Sequence, residues 1–272
     1  MQSPIAVFDS GVGGLTVVKA LQQKLPEEQI IYFGDTARIP YGTRSRTVVC
    51  HYAAQITEFL AGFNPKLIVI ACHTVSSIAL PFLTERFPDF SFIDVVTPSM
   101  EKALSITNGS IGVIGTPATV SSGRYEQLCT NASVSIHLTA CPLFVPLVEE
   151  GWLQGPVPEL VARHYLHSLL EKSIDTLILG CTHYPLLAPV IKKMAGPAIT
   201  MIDTAEETGI SAQHFLETNK IRTTTSAHPD PLLYFSDLPP YYRNVLSIFW
   251  QDTHVKIEEC SSELFAEKMH QK

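Results

Sequence analysis

Two stretches of this chain carry nearly the same text 109 residues apart: LIVIAC, ending at Cys72, and LILGC, ending at Cys181. A second pair, FIDVVTPS around Asp94 and MIDTAEE around Asp203, keeps that offset, and IAVFDS near the start matches IGVIGT at an offset of 106. Three residues of loop difference reconcile the set. Repetition at such a period constrains the fold more than any single motif, because each copy has to form a unit that buries its apolar faces. For one match alone, chance likeness between two buried strands explains the text about equally well. Two matches at one offset, each with a polar residue at the same place, weigh against chance.

The repeated units are built from short apolar runs: IAVFDS, QIIYFGD, LIVIACH, FSFIDVV, IGVIGT, VSIHLTAC, TLILGCTH and AITMIDT. Their Val/Ile/Leu character is continuous rather than alternating, which predicts strands covered on both faces by helices, as in parallel sheets. The fold class expected is α/β: two similar halves with mainly parallel sheets flanked by helices, and a cleft between them for the active site. Most runs stop at Gly, Thr, Cys or Asp, and ligands of parallel sheets collect at the carboxyl ends of strands. Each half would lend the same strand end to the cleft, so Cys72 and Cys181 would face one another. After Asp203 the text reads helix (TAEETGISAQHFLE), loop (TTTSAHPDP), strand (LLYFSD), helix (YYRNVLSIFW) and strand (VKIEEC). Pattern alone does not say which half this tail joins.

Composition excludes several classes. With 272 residues, 46% apolar and 17% charged, the chain can bury a full core. Nowhere do about 18 apolar residues follow one another, and the first ten residues carry no basic segment, so a cytoplasmic chain without a membrane span is expected. Six cysteines without a CxxC spacing fit reduced thiols better than a disulfide framework. A net charge of −7, with no Lys/Arg cluster longer than two, argues against a nucleic-acid footprint or an anionic membrane surface. An acidic small-molecule substrate stays open, because local donors in a pocket outweigh a modest global charge.

Two loops stand at strand ends. DSGVGG, residues 9–14, could offer N–H groups and a helix N-terminus to an anion, or be a tight turn with a capping Ser or Asp. It is no dinucleotide fingerprint, since the third glycine would fall at Thr16. GDTARIPYG, residues 34–42, ends in the turn chemistry of Pro40, Tyr41 and Gly42.

The two repeated cysteines admit three readings. They could be small buried hydrophobes. With His73 and His183 they could bind zinc, although adjacent CH and CxH lack the usual ligand spacing. Or they could transfer protons: each is followed by Thr and His and then a helix, whose N-terminus would help hold a thiolate and lower its pKa. Two thiols on opposite walls suit removal of a proton from one face of a carbon and return to the other, which inverts a stereocentre. Taken alone, His183 is more often a local hydrogen-bonding residue than a catalyst, and Glu149 more often a surface carboxylate on a helix.

DSGVGG, GDTARIPYGTRS at 34–45, ACHT at 71–74, CPLFVPLVEEG at 141–151 and GCTHYPLL at 180–187 together resemble the glutamate racemase family, cofactor-independent amino-acid racemases that supply D-glutamate for peptidoglycan. The matched motifs run from about Ile5 to Asp203. The resemblance implies two pseudo-symmetric α/β domains, residues 1–97 with 208–272 and residues 98–207, with glutamate between them. It implies Cys72 and Cys181 as the two acid–base groups, Asp9 supporting the first, and His183 with Glu149 supporting the second. Asp9, Ser10, Pro40, Tyr41, Gly42, His73, Thr74, Thr116, Thr182 and His183 would bind the substrate. It implies no cofactor and no metal, and no lysine lies in a recognisable pyridoxal motif. A homodimer stays open. The alternatives are a racemase-like binding protein without turnover, or a related racemase acting on aspartate or another acidic amino acid.

One position departs from the family. Where the pattern after the first cysteine is Asn-Thr-Ala-Ser, this chain has His73-Thr74-Val75-Ser76. An amide offers a donor and an acceptor; imidazole has a different reach and can carry charge.

Overall fold

The computed structural model describes residues 3–129, 133–251 and 255–260; the last part of the tail, 261–272, lies outside the described residues. Each apolar run forms a strand: β1 (Ile5–Asp9), β2 (Ile30–Gly34), β3 (Leu67–Ile70), β4 (Phe92–Asp94), β5 (Ser110–Gly115), β6 (Ser135–Ala140), β7 (Thr176–Gly180), β8 (Thr200–Ile202), β9 (Leu232–Phe235) and β10 (Ile257–Glu259). They make two sheets, ordered β10-β9-β2-β1-β3-β4 and β6-β5-β7-β8, and their pairings are parallel. The α/β expectation holds.

The sequence repeat is also a repeat of register. The order β2-β1-β3-β4 recurs as β6-β5-β7-β8. Ile5 lies beside Ile30 and Leu67, and Ile111 lies beside Ile136 and Thr176. Ile68 pairs with Phe92, and Leu177 with Met201. The offsets of 106 and 109 read from the text therefore survive in the hydrogen-bonded ladders. A one-residue slip would turn every side chain to the other face, so this agreement fixes which residues emerge at equivalent strand ends.

The helices are α1 (Leu15–Lys24), α2 (Arg46–Ala61), α3 (His73–Arg86), α4 (Val96–Ile106), α5 (Pro117–Val120), α6 (Arg124–Leu128), α7 (Phe144–Glu149), α8 (Pro156–Leu170), α9 (Ala188–Ala195), α10 (Thr204–Thr218) and α11 (Pro240–Phe249). They cover both faces of the first sheet, which is why β1, β2 and β3 are buried along their whole length. In β1, Ile5 and Val7 point into one core, and Ala6 and Phe8 into another with α2 and α3. The first core runs on through Val18 and Leu21 of α1, Met100 of α4 and Leu216 of α10 to Ile111 and Ile178 of the second sheet. Each such aliphatic side chain contributes about 1.5–3 kcal/mol on burial.

The repeated aspartates do the same work twice. Asp94 accepts from the N–H groups of Val96 and Thr97 at the start of α4, and Asp203 from those of Ala205 and Glu206 at the start of α10. Each satisfies N–H groups that a helix start leaves unpaired, worth about 1 kcal/mol. The tail returns to the first sheet, where β9 pairs with β2.

The halves differ directly after their cysteines. Cys72 is the N-cap of α3, whereas Cys181 leads into a 3-10 turn, Tyr184–Leu187, before α9 begins. Pro185 and Pro189 remove two N–H groups that a regular α-helical ladder would use.

Candidate active site

The carboxyl ends of β1, β3, β5 and β7 open on one cavity of about 420 Å³. Its wall includes Ser10, Pro40, Tyr41, Gly42, Cys72, His73, Thr74, Thr116, Glu149, Cys181, Thr182 and His183. Of the site residues expected from the text, Asp9 alone stands behind this wall, 1% exposed.

Asp9 explains the glycine-rich turn. Its carboxylate accepts from the N–H of Gly14, the N-cap of α1, at 2.6 Å, so the anion at this helix start is the chain's own side chain. Tyr32 holds the same turn by donating to the Gly11 carbonyl at 2.6 Å. Asp9 also accepts from Ser10 Oγ and, across the cleft, from Thr182 Oγ1, each at 3.4 Å.

The second loop is held by Asp35. Its buried carboxylate accepts from Arg38 Nε at 2.6 Å, from Ser236 Oγ at 2.9 Å and from the Tyr41 hydroxyl, and Thr36 donates to the Asp237 carbonyl. These bonds lean the loop on the end of β9 and bring Tyr41 and Gly42 to the cavity. Gly42 docks on the second half: its carbonyl accepts from Ala118 N at 3.0 Å, and a Cβ there would lie 2.7 Å from Thr116 Cβ.

The two thiols sit in different electrostatic settings. Cys72 Sγ lies 3.5 Å from Ser10 Oγ. Burial, then the charge of Asp9, push its pKa from 9.0 up to about 12, against the lowering effect of Ser10 and the Val75 N–H. The helix N-terminus was expected to lower this pKa; desolvation and the neighbouring carboxylate outweigh it. Cys181 Sγ lies 4.0 Å from His183 Nδ1, and His183 Nε2 lies 3.1 Å from Glu149 Oε1. Burial alone would lower the pKa of His183, but its bonds to Cys181 and Glu149 lift it from 6.5 to about 10. The second thiol thus has a cation beside it.

His73 is buried, and neither ring nitrogen has a hydrogen-bond partner. Burial lowers its pKa from 6.5 to about 3, so the imidazole is neutral near pH 7. His183, by contrast, has both nitrogens engaged. With one imidazole orphaned and the other committed, the zinc alternative draws no support from this geometry, and among the described residues no group of three His, Cys, Asp or Glu is arranged to hold a metal.

Thr74, Thr116 and Thr119 bring their hydroxyl oxygens together at 2.9–3.3 Å, joining α3 to α5 across the cleft. The lining residues include neither Lys nor Arg. An anion entering here would meet hydroxyls and the N–H groups that start α3.

Some of the wall was not read from the text. Val145 and Pro146 share α7 with Glu149, four and three residues before it, so helical spacing could have found them. Tyr242 lines the cavity from α11, and Phe249 of the same helix stands edge-on to His183 with ring centroids 5.1 Å apart. Nothing in YYRNVLSIFW distinguishes that helix from any other amphipathic one.

Comparison with known proteins agrees over nearly the whole chain. The Asp/Glu/Hydantoin racemase family profile matches residues 15–208. A glutamate racemase of Chlorobaculum parvum is 47% identical over 250 residues, 91% of this chain and 92% of the relative; one of Neisseria meningitidis is 41% identical over 263 residues, covering 96% and 97%. The crystal structure of glutamate racemase from Francisella tularensis in complex with D-glutamate superposes with a TM-score of 0.89 at 40% identity, covering 96% of this chain and 98% of that one.

Proposed function

This chain belongs to the glutamate racemases of the Asp/Glu/hydantoin racemase family, and we propose that it interconverts L- and D-glutamate through two thiols, Cys72 and Cys181. The reading rests above all on one observation: equivalent strand ends of two sheets with the same register send a cysteine each to one cavity.

In this mechanism the thiolate of Cys181, paired with the His183 imidazolium, removes the Cα proton from one face. The electron pair left on carbon is stabilised through the adjoining carboxylate, which accepts hydrogen bonds from the hydroxyls and N–H groups around it. The Cys72 thiol delivers its proton to the opposite face. Cys181 ends as the thiol and Cys72 as the thiolate, and the reverse reaction starts from that state.

A pKa of about 12 keeps Cys72 protonated near pH 7, as an acid must be. For it to act as base on the other enantiomer, a positive charge has to arrive, and the ammonium group of the substrate is one. Asp9 orients Ser10 and Thr182 on either side of the cleft, and Glu149 keeps His183 charged. Thr74, Thr116, Tyr41, Gly42 and Pro40 shape the seat for the substrate carboxylates.

We further read residues 1–97 with 208–272 as one domain and 98–207 as the other. No helix among the described residues is long and apolar enough to cross a membrane. The role we propose for the enzyme is supply of D-glutamate for peptidoglycan in the cytoplasm.

The test is incubation with L-glutamate in deuterium oxide, followed by NMR and circular dichroism. Loss of the Cα proton signal should accompany decay of optical activity to zero, because the two enantiomers are equal in energy. Glutamate that keeps both its proton and its rotation would leave a binding protein without turnover, and exchange with aspartate alone would reassign the substrate.

A further inference from the structure

The shared register identifies residues that occupy equivalent places in the two halves. Two positions after each thiol stand Thr74 and His183; four positions after the last residues of β1 and their β5 counterparts, Asp9 and Gly115, stand Gly13 and Thr119. These meet crosswise. Thr74 of the first half touches Thr119 of the second, hydroxyl to hydroxyl at 3.3 Å. His183 of the second half stands against Gly13 of the first. A Cβ built on Gly13 would lie 2.7 Å from His183 Nδ1, 2.8 Å from its Cε1 and 2.3 Å from Thr182 Oγ1.

Glycine is not required here by backbone conformation, since Gly13 is not among the residues with positive φ. It is required by space. Where the facing side chain is small, the chain has threonine; where it is an imidazole, the chain has no side chain at all. The ring edge that fills this space carries Nδ1, the atom that approaches Cys181 at 4.0 Å. Phe249 stands edge-on to the ring, and Glu149 holds Nε2 at 3.1 Å, so the ring has little room to retreat.

We propose that Gly13 is a positioning residue for the second thiol: the space left by its missing side chain lets His183, from the other half of the molecule, stand beside Cys181. This rests on the two-thiol reading for its effect on turnover, but its geometric consequence can be measured without turnover. Besides His183, the groups whose charges interact with Cys181 include Cys72, Cys141, Tyr125 and Tyr184, none of which becomes a cation, and the lining of the cavity includes neither Lys nor Arg. A rise in the pH at which Cys181 becomes reactive therefore reports withdrawal of His183.

The experiment compares the parent, Gly13→Ala, His183→Ala and the double variant. Alkylation of Cys181 by iodoacetamide is followed against pH by peptide mass spectrometry, beside kcat and KM for glutamate. In Gly13→Ala, kcat should fall about 100-fold with KM much less affected, the size expected of a 1 Å misplacement. The Cys181 alkylation midpoint should move up by roughly a pH unit, as expected on loss of a neighbouring cation, while that of Cys72 stays in place. Adding Gly13→Ala to His183→Ala should leave the Cys181 midpoint in place and lower kcat by much less than the about 100-fold expected in the parent, the remainder coming from the approach to Thr182 Oγ1, because coupled residues are not additive. An unmoved Cys181 midpoint, or the same loss in both backgrounds, overturns the proposal. If Gly13→Ala alone does not fold, a soluble double variant resembling His183→Ala supports it, and an insoluble double variant overturns it. A parent with no racemisation would refute the function assigned to the site and leave the alkylation result to decide the role of Gly13.

Discussion

The two walls of the cleft share a backbone and differ in charge. The first carries Cys72 among Asp9, Ser10, His73 and Thr74: a buried thiol with a carboxylate near it and a neutral imidazole beside it in sequence. The second carries Cys181 beside His183, with Glu149 behind the imidazole and Cys141 close enough to feel the charge of Cys181. Repetition of a βα unit thus supplied two cysteines at equivalent strand ends on one cavity, and in the two-thiol mechanism we propose, divergence of a few side chains sets which thiol starts as acid and which as base. A racemase needs both roles from both sulfurs over a full cycle. In the proposed mechanism the second wall brings its own cation, and the first borrows one from the substrate.

The comparison breaks most completely if either sulfur is dispensable. Cys72→Ala and Cys181→Ala should each lower racemisation by about 10⁴-fold or more, the upper range for loss of a general acid or base. Far-UV circular dichroism should match the parent, since each change removes one small atom from a wall that already borders a cavity. Turnover within tenfold of the parent in either variant would end the two-thiol reading.

A smaller effect separates the walls. Glu149→Gln keeps a hydrogen-bonding group near His183 Nε2 and removes the charge that helps lift the imidazole to about 10. The loss in kcat should be about 10–100-fold, with the alkaline limb of the rate profile moved to lower pH. Stability gives an independent reading. His183 is raised above its unfolded value, so its contribution is fully present below about pH 6.5 and lost as pH rises towards 10. Chemical denaturation at pH 6, 8 and 10 should show a steeper decline in the parent than in Glu149→Gln across that window. Parallel declines would mean that Glu149 does not act on His183.

How much of this was visible in the sequence follows from what each feature depends on. The strands, the repeat and the paired cysteines were readable because they rest on local apolar pattern and on text compared with itself, and Asp94 and Asp203 stood out for the same reason. The pKa of Cys72 was read in the wrong direction. The helix after it is local and legible, whereas burial and the approach of Asp9 arise only when β1 and β3 lie side by side. Tyr242 and Phe249 were missed because α11 reaches the cleft only through pairing of β9 with β2, far away in the chain. Gly13 reads as turn chemistry, whereas the side chains a Cβ there would meet, Thr182 and His183, come from the other half.

The smallest expected change in turnover tests the first wall, where His73 stands in place of the family's asparagine. Its pKa is held near 3 by burial, with no partner for either nitrogen. The unfolded chain takes up a proton at this histidine below about pH 6.5 and the folded chain does not, so the unfolded state binds more protons and stability falls as pH falls. Between pH 6.5 and 5 that amounts to about 2 kcal/mol. His73→Asn removes the titration and offers an amide of the kind the family uses, so the variant should be about 2 kcal/mol less acid-sensitive than the parent in urea unfolding at pH 5 against pH 7.5. Glutamate turnover should stay within about tenfold of the parent or rise, since neutral imidazole and amide both offer one acceptor and at least one donor. A fall of 100-fold or more would show that the imidazole takes part in the chemistry of the first wall, and that this wall too carries a titrating partner for its thiol.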